Sequence, residues 1–298
     1  MGTPRLRRLR KAAVGFAVVY GLIAMTLAGC ADRLILYPSR EAIEVPGAPR
    51  LEIPGPAGMV EVWTMRSPGA LSREPEAFVL EFVGNASRAE WSAPLIAGQW
   101  GERPVEVWAV NYPGYGGSAG DAKLKSISPA GLAVFDALKA HAGGRPIFVS
   151  GHSIGTAAAL SVAARRRVDG LVLQNPPPLR QLIIGKFGWW NLWLAAVPVA
   201  LHVPGELDSL ENGRRIHAPA VFVLGDADTL VPPAYHQKVV DAFAGEKQVI
   251  HIPDGGHNDP VYGASEVHLE ASLDWLWALS VKAAPNAATT VPSLQIRK

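Results

Sequence analysis

Ile147-Phe148-Val149-Ser150-Gly151-His152-Ser153-Ile154-Gly155-Thr156-Ala157-Ala158-Ala159-Leu160 decides the fold. A β-branched, apolar run passes into an Ala-rich run, with the pattern G-x-S-x-G at the junction. A strand that turns this sharply into a helix holds the central Ser in strained backbone angles and needs Gly on either side to avoid clashes. The helix N-terminus then aims backbone N–H groups at any negative charge developing on a carbonyl under attack, and the Ile154 N–H is the first such donor. Ser153 is the candidate nucleophile.

Outward from this elbow, short β-branched or aromatic runs alternate with helical patterns. The runs at Val60–Thr64, Ala77–Phe82, Val105–Val110, Ile147–Ser150, Leu171–Leu173, Val221–Leu224 and Val249–Ile252 predict strands. Pro129–Ala142, Ile154–Arg166, Pro233–Phe243 and Glu266–Val281 have helical spacing. Alternation of this kind means βαβ units and a mostly parallel, twisted sheet with helices on both faces, an α/β architecture. The 298 residues suffice for one large domain over residues 59–282, a leader over 1–29, an entry segment over 30–58 and a loose tail over 283–298. The Pro- and Gly-rich part of the entry segment, 46–58, reads as loop and edge strands. Residues 176–208 are too long for a simple connection and carry Trp189, Trp190, Trp193 and an apolar run through Val203, so they read as an inserted cap. A net charge of +2 excludes a nucleic-acid partner.

An elbow Ser requires an acid and then a His further along the chain. Asp226 and Asp228 both lie just after the run ending at Leu224, at the end of a strand where sites in open α/β sheets form. His257 lies in the turn-rich Pro253-Asp254-Gly255-Gly256-His257-Asn258-Asp259 after the last strand, and is the expected base. His152 reads as the variable residue of the elbow, and His236 as part of a helical pattern. The second oxyanion donor is expected after an earlier strand, where Gly84 lets the chain turn and the Asn85 N–H face the carbonyl that Ser153 attacks. No two histidines stand four apart, and the lone Cys cannot form an intramolecular disulfide or a Cys-based metal site, so neither metal nor cofactor is expected.

That cysteine, Cys30, ends a distinctive leader. Arg5, Arg7, Arg8, Arg10 and Lys11 precede the apolar stretch Ala12–Thr26, and Leu27-Ala28-Gly29-Cys30 follows at once. This resembles a bacterial lipoprotein signal, whose Cys is acylated and becomes the first mature residue. The alternative is an uncleaved signal anchor, because the apolar stretch to Gly29 is close to the lower limit of about 17 residues for a spanning helix. Either places the body at a membrane, facing away from the cytoplasm. Ala31 after the Cys resembles the sorting signal for the outer membrane.

Phe82-Val83-Gly84-Asn85-Ala86, Asn111-Tyr112-Pro113-Gly114-Tyr115-Gly116-Gly117-Ser118, the elbow, the loop 225–232 and Gly256-His257-Asn258-Asp259 together resemble the α/β-hydrolase superfamily. They are similar to its membrane-anchored branch, which includes acyl-protein thioesterases. Two positions depart from that branch: Val83 stands where it usually has His, and Pro113 where it usually has Arg. The pattern G-x-x-D-x-x-V-P resembles the family's acid loop and selects Asp228, leaving Asp226 to cap the turn. The resemblance implies a serine esterase, thioesterase or lipase-like enzyme acting on an acyl ester or thioester, small or lipid, palmitate included. In it, His257 takes the Ser153 proton, Asp228 orients His257, and the Asn85 and Ile154 N–H groups hold the oxyanion. Transfer to an acceptor alcohol with the same residues, or a membrane-anchored binding protein without turnover, are the alternative expectations.

Overall fold

The computed structural model describes residues 4–45, 49–191 and 193–281, and the tail expected over 283–298 lies outside them. Among the described residues, eight strands form one sheet: β1 (Arg50–Gly55), β2 (Gly58–Arg66), β3 (Ala77–Phe82), β4 (Val105–Val110), β5 (Ile147–His152), β6 (Gly170–Gln174), β7 (Ala220–Gly225) and β8 (Lys247–Ile252). Their spatial order is β1-β2-β4-β3-β5-β6-β7-β8. The strands from β3 to β8 run parallel, while β2 and β1 add an antiparallel hairpin at one edge. Every residue of β3 and of β7 is buried, which is why these strands read as apolar runs, broken in β3 only by Glu81, rather than alternating ones. The expected α/β architecture is borne out, with β1 as an edge strand of the entry segment.

The helices are α1 (Pro4–Ile35), α2 (Ala89–Gln99), α3 (Leu124–Ala142), α4 (Ile154–Ala163), α5 (Leu179–Phe187), α6 (Ala196–His202), α7 (Ser209–Gly213), α8 (Pro233–Ala242) and α9 (Ala264–Val281). Two differ from the sequence pattern for an identifiable reason. Helix α3 starts at Leu124 rather than Pro129, and α2 was not expected at all; each has a Pro inside it, which removes one intrahelical hydrogen bond and masks the pattern. In α2 the first N–H is satisfied from outside the helix, because the Asn111 Oδ1 at the end of β4 accepts from the Ala89 N–H at 2.9 Å.

Helix α1 carries a stretch, Leu9–Ile35, long and apolar enough to cross a membrane, a property that signal sequences share. Cys30 is exposed on it. Its C-terminal end is docked on the body: Ala31 and Leu36 are buried, and the Asp32 carboxylate lies 3.4 Å from His202 of α6. The segment 176–208 forms α5, a 3₁₀ turn at Trp189–Asn191, α6 and a second 3₁₀ turn at Gly205–Leu207. Trp189, Trp190, Trp193 and Leu201 of this cap are exposed, so they are not core.

Below the elbow, Glu81 of β3 is buried and accepts hydrogen bonds from the hydroxyls of Ser150 and, at 3.0 Å, Ser92. Burial pushes its carboxyl up to about 7, although both hydrogen bonds act to lower it. The folded chain therefore binds more protons than the unfolded chain between about 4.5 and about 7. The resulting stability is fully present below the lower value and is lost as pH rises through the upper one. Thermal unfolding from about pH 4.5 to about pH 8 is expected to show wild type losing stability relative to Glu81→Gln as pH rises, by a few degrees in Tm. Parallel curves for the two proteins would show that Glu81 does not titrate in this way.

Candidate functional site

The candidate residues meet at the C-terminal ends of the parallel strands, where loops from neighbouring strands converge. Ser153 follows β5 with φ 54° and ψ −125°, a conformation that costs roughly 1–3 kcal/mol and persists only if its surroundings enforce it. They do so through close packing. A Cβ on Gly155 would lie 2.0 Å from the Phe82 carbonyl oxygen, and one on Gly151 would lie 2.6 Å from the Gly155 carbonyl group. The elbow is thus wedged against β3, and its two glycines are there for lack of space. The Ser153 N–H donates to the Gln174 carbonyl at 2.9 Å, fastening the turn to β6.

From Ser153 a hydrogen-bonded chain runs inward. Its Oγ is 2.8 Å from His257 Nε2, and His257 Nδ1 is 2.6 Å from Asp228 Oδ2. A carboxylate only accepts, so Nδ1 carries the proton and Nε2 offers its lone pair to the Ser153 hydroxyl. Asp228 Oδ1 accepts from the Leu230 and Val231 N–H groups, each at 2.8 Å. The turn-capping role expected of Asp226 therefore belongs to Asp228; Asp226 is exposed and pairs at 2.7 Å with His251 on the surface. Burial acts to raise the Asp228 carboxyl, but the contacts with His236 and His257 and the Val231 N–H outweigh it and hold it below the ordinary carboxylate range. Ser153 and His257 each retain 9% exposure, enough to leave the chain's outer end open to a reactant.

Three supporting residues escaped the sequence reading. His236, on α8 and fully buried, places Nε2 at 3.2 Å from Asp228 Oδ2, off the axis of a good hydrogen bond. His152 donates from Nε2 to the His257 carbonyl at 2.8 Å, and burial pushes its imidazole down to about 4, so it is held neutral. Asn175, at the end of β6, donates to the same carbonyl at 2.8 Å, and its Oδ1 accepts from the Gly225 N–H at 2.8 Å. Asn175 thereby ties the end of β7 to the His257 loop. A positive φ of 49° at a non-Gly residue is its structural mark, and an Asn two residues after the predicted strand Leu171–Leu173 was the available sequence signal.

The loop after β3 carries Asn85, and neither the Asn85 nor the Ile154 N–H has a hydrogen-bond acceptor among the described residues. The bracing that His would give at position 83 comes from elsewhere. The Tyr112 hydroxyl donates to the Val83 carbonyl at 2.8 Å, and the Tyr115 hydroxyl donates to Asn85 Oδ1 at 3.0 Å. Ser118 is structural: its hydroxyl donates to the Asn111 carbonyl at 2.7 Å and accepts from the Glu61 N–H at 2.8 Å. Chemically, the arrangement places an imidazole lone pair against the Ser153 hydroxyl and leaves the N–H of the neighbouring Ile154 without an acceptor among the described residues.

Residues 73–209 match the sequence profile of a family described as serine aminopeptidase, S33. An uncharacterized protein of Mycobacterium tuberculosis is 28% identical over 289 residues, which is 94% of this chain and 99% of that one. The lysophosphatidylserine lipase ABHD12 of Rattus norvegicus is 34% identical over a shorter stretch of 75 residues, 24% of this chain and 19% of the lipase. Among solved structures, the ferulic-acid-bound Est1E of Butyrivibrio proteoclasticus superposes with a TM-score of 0.63 at 18% identity, over 77% of this chain and 98% of Est1E. Strand order, elbow and similarities converge on the α/β-hydrolase fold, and residues 73–209 of the chain are similar to the matched family.

Proposed function

We propose that this chain is a membrane-tethered hydrolase that cleaves carboxylic ester or thioester bonds of lipid-like acyl substrates through an acyl-enzyme on Ser153. The observation that carries this reading is the unbroken chain from Ser153 Oγ through His257 to Asp228, set on a strained elbow. In the proposed reaction His257 removes the Ser153 proton as Oγ attacks the carbonyl carbon. The Asn85 and Ile154 N–H groups hold the oxyanion, and His257 then protonates the leaving alcohol or thiol. Water, deprotonated by His257, releases the acid and restores Ser153. Asp228, kept ionised by its donors, stabilises the imidazolium throughout.

Ser153→Ala is expected to abolish hydrolysis of a p-nitrophenyl ester while leaving the thermal transition near that of wild type, and a fluorophosphonate probe should label Ser153 alone. Retention of more than roughly a thousandth of wild-type kcat, the background an oxyanion hole supplies by itself, would remove Ser153 from the nucleophile's role.

The lipid-like substrate class rests on the cap and on α1. Indole rings concentrate at membrane–water interfaces, and the exposed Trp189, Trp190 and Trp193 sit in the cap that packs on the end of α1. Esters of medium or long acyl chains are therefore expected to exceed acetate esters in kcat/KM, and Trp189→Ser with Trp190→Ser is expected to narrow the gap. A steady preference for acetate, unchanged in that double variant, would overturn the lipid assignment and leave the hydrolase intact.

For the tether, we infer cleavage before Cys30 and acylation there, with the body outside the cytoplasm and sorted to the outer membrane. Acyl chains stabilise membrane binding by about 0.8 kcal/mol per buried CH₂, so two or three hold firmly where one does not. Intact mass of the membrane-extracted protein should give a chain starting at a modified Cys30. A species that keeps residues 1–29 with a bare thiol would establish the uncleaved anchor in its place.

A further inference from the structure

The segment that leads out of α1 does more than connect it to the sheet. The Asn85 side chain reaches across to it, with Nδ2 donating to the Ile35 carbonyl at 2.5 Å and Oδ1 accepting from the Tyr37 N–H at 3.0 Å. The same Oδ1 accepts from the Tyr115 hydroxyl and, at 3.1 Å, from the Ala86 N–H. Ile35 is the last residue of α1, so its carbonyl belongs to the group that a helix leaves without an intrahelical partner. Asn85 supplies that partner. A side-chain amide donates from one end and accepts at the other, so it meets a carbonyl and a backbone N–H at once, and the orientation here is fixed because N–H groups can only donate.

Further contacts lie on both sides of this bracket. Upstream, the Asp32 carboxylate accepts from the Leu124 N–H at 2.8 Å, at the start of α3. Downstream, the Ser39 carbonyl accepts from the Gly116 N–H at 2.9 Å and from the buried Arg88 guanidinium at 3.1 Å, and Arg88 also reaches the Glu41 carbonyl at 2.8 Å. The loop that receives them is itself strained, with Ala86 at φ 59°. Strain of that kind lasts only where the surroundings over-determine the conformation. The Tyr115 hydroxyl is suited to the task, because burial pushes it up to about 12 and so keeps it a donor, although its contact at Tyr37 acts to lower it.

We propose that Asn85 is a positioning residue through its side chain: it latches the segment Ile35–Tyr37, a few residues after Cys30, to the loop whose Asn85 N–H faces the oxyanion, so that the segment joining the tether to the body becomes part of the active-site frame. This rests on the reading of that N–H as an oxyanion donor. Loss of the latch moves the donor relative to the carbonyl in the transition state and leaves the acyl-binding surface of the cap in place. The effect therefore falls on kcat rather than KM.

The test uses the membrane-extracted protein with its native N-terminus, in vesicles of phosphatidylethanolamine and phosphatidylglycerol, with a p-nitrophenyl ester of medium chain length. Asn85→Ala is expected to lower kcat roughly 10- to 100-fold, the scale on which a displaced donor acts, with KM held within about threefold. Tyr37→Pro, which deletes the N–H that Oδ1 accepts, should lower kcat more than Tyr37→Ala, which keeps it. The double variant Asn85→Ala/Tyr37→Pro should be no slower than the slower single one, because both break the same latch. A kcat for Asn85→Ala within twofold of wild type, or losses that multiply in the double variant, would overturn the proposal. So would a loss expressed in KM alone. If Asn85→Ala does not fold, faster amide exchange at Gly84–Ser87 in Tyr37→Pro than in Tyr37→Ala supports the latch, and equal exchange overturns it. Activity that survives Ser153→Ala marks instead the failure of the hydrolase reading.

Discussion

The close approach of α4 to β3 is the constraint on which the site depends. At Gly155 the backbone of the helix comes so near the Phe82 carbonyl that a single methyl group cannot fit between them. That contact presses the first turn of α4 against the end of β3. It thereby brings the Ile154 N–H beside the loop that carries Asn85, and it forces Ser153 into its positive φ. A larger residue at 155 would push the helix away, relax the elbow and separate the two N–H groups together. The positive φ at Ser153 and the placement of the Ile154 N–H share one steric cause.

The remaining groups are fixed by hydrogen bonds that converge on backbone atoms. The His257 carbonyl receives two donors, from His152 on the elbow and Asn175 at the end of β6, so the loop of His257 is fastened to the strand that leads into Ser153. Asn175 also holds the end of β7, from which the Asp228 loop departs. Movement of any one of these strand ends is felt by the others. On the far side, Asp228 has each oxygen engaged, one by two backbone N–H groups and one by His257 with His236 alongside. An imidazolium formed at His257 would then meet a carboxylate already ionised and oriented, with little left to reorganise.

The cap and α1 give this body a direction. The cap exposes Trp189, Trp190 and Trp193, and its α6 meets the end of α1, where Asp32 lies against His202. The same meeting point continues through Ile35 and Tyr37 to Asn85. The C-terminal end of α1 is therefore bonded to the loop after β3, although residues 35 and 85 are far apart in the chain.

Much of this was legible in the sequence, and the rest was not, for reasons that can be named. The strand positions followed from apolar runs that burial on both faces requires, and the elbow followed from two glycines around a Ser between a strand and a helix. The order Ser153, Asp228, His257 followed from which strand ends the loops could reach, since a parallel sheet puts all such ends on one edge. Helix α2 was invisible because Pro94 breaks its pattern and its cap, Asn111, comes from another strand. His152 and His236 looked like ordinary positions because their meaning depends on partners distant in sequence. Between Asp226 and Asp228, position at the strand end left both open and the resemblance of the loop selected Asp228; the fold turns Asp228 inward to His257 and Asp226 outward to His251. Local patterning determined the elements, the elbow and the candidate residues, because these depend on near neighbours and on chain order. Tertiary structure alone decided which side chains support them and that the Asn85 amide bonds to the end of α1, because hydrogen bonds between distant segments leave no periodic trace in the chain.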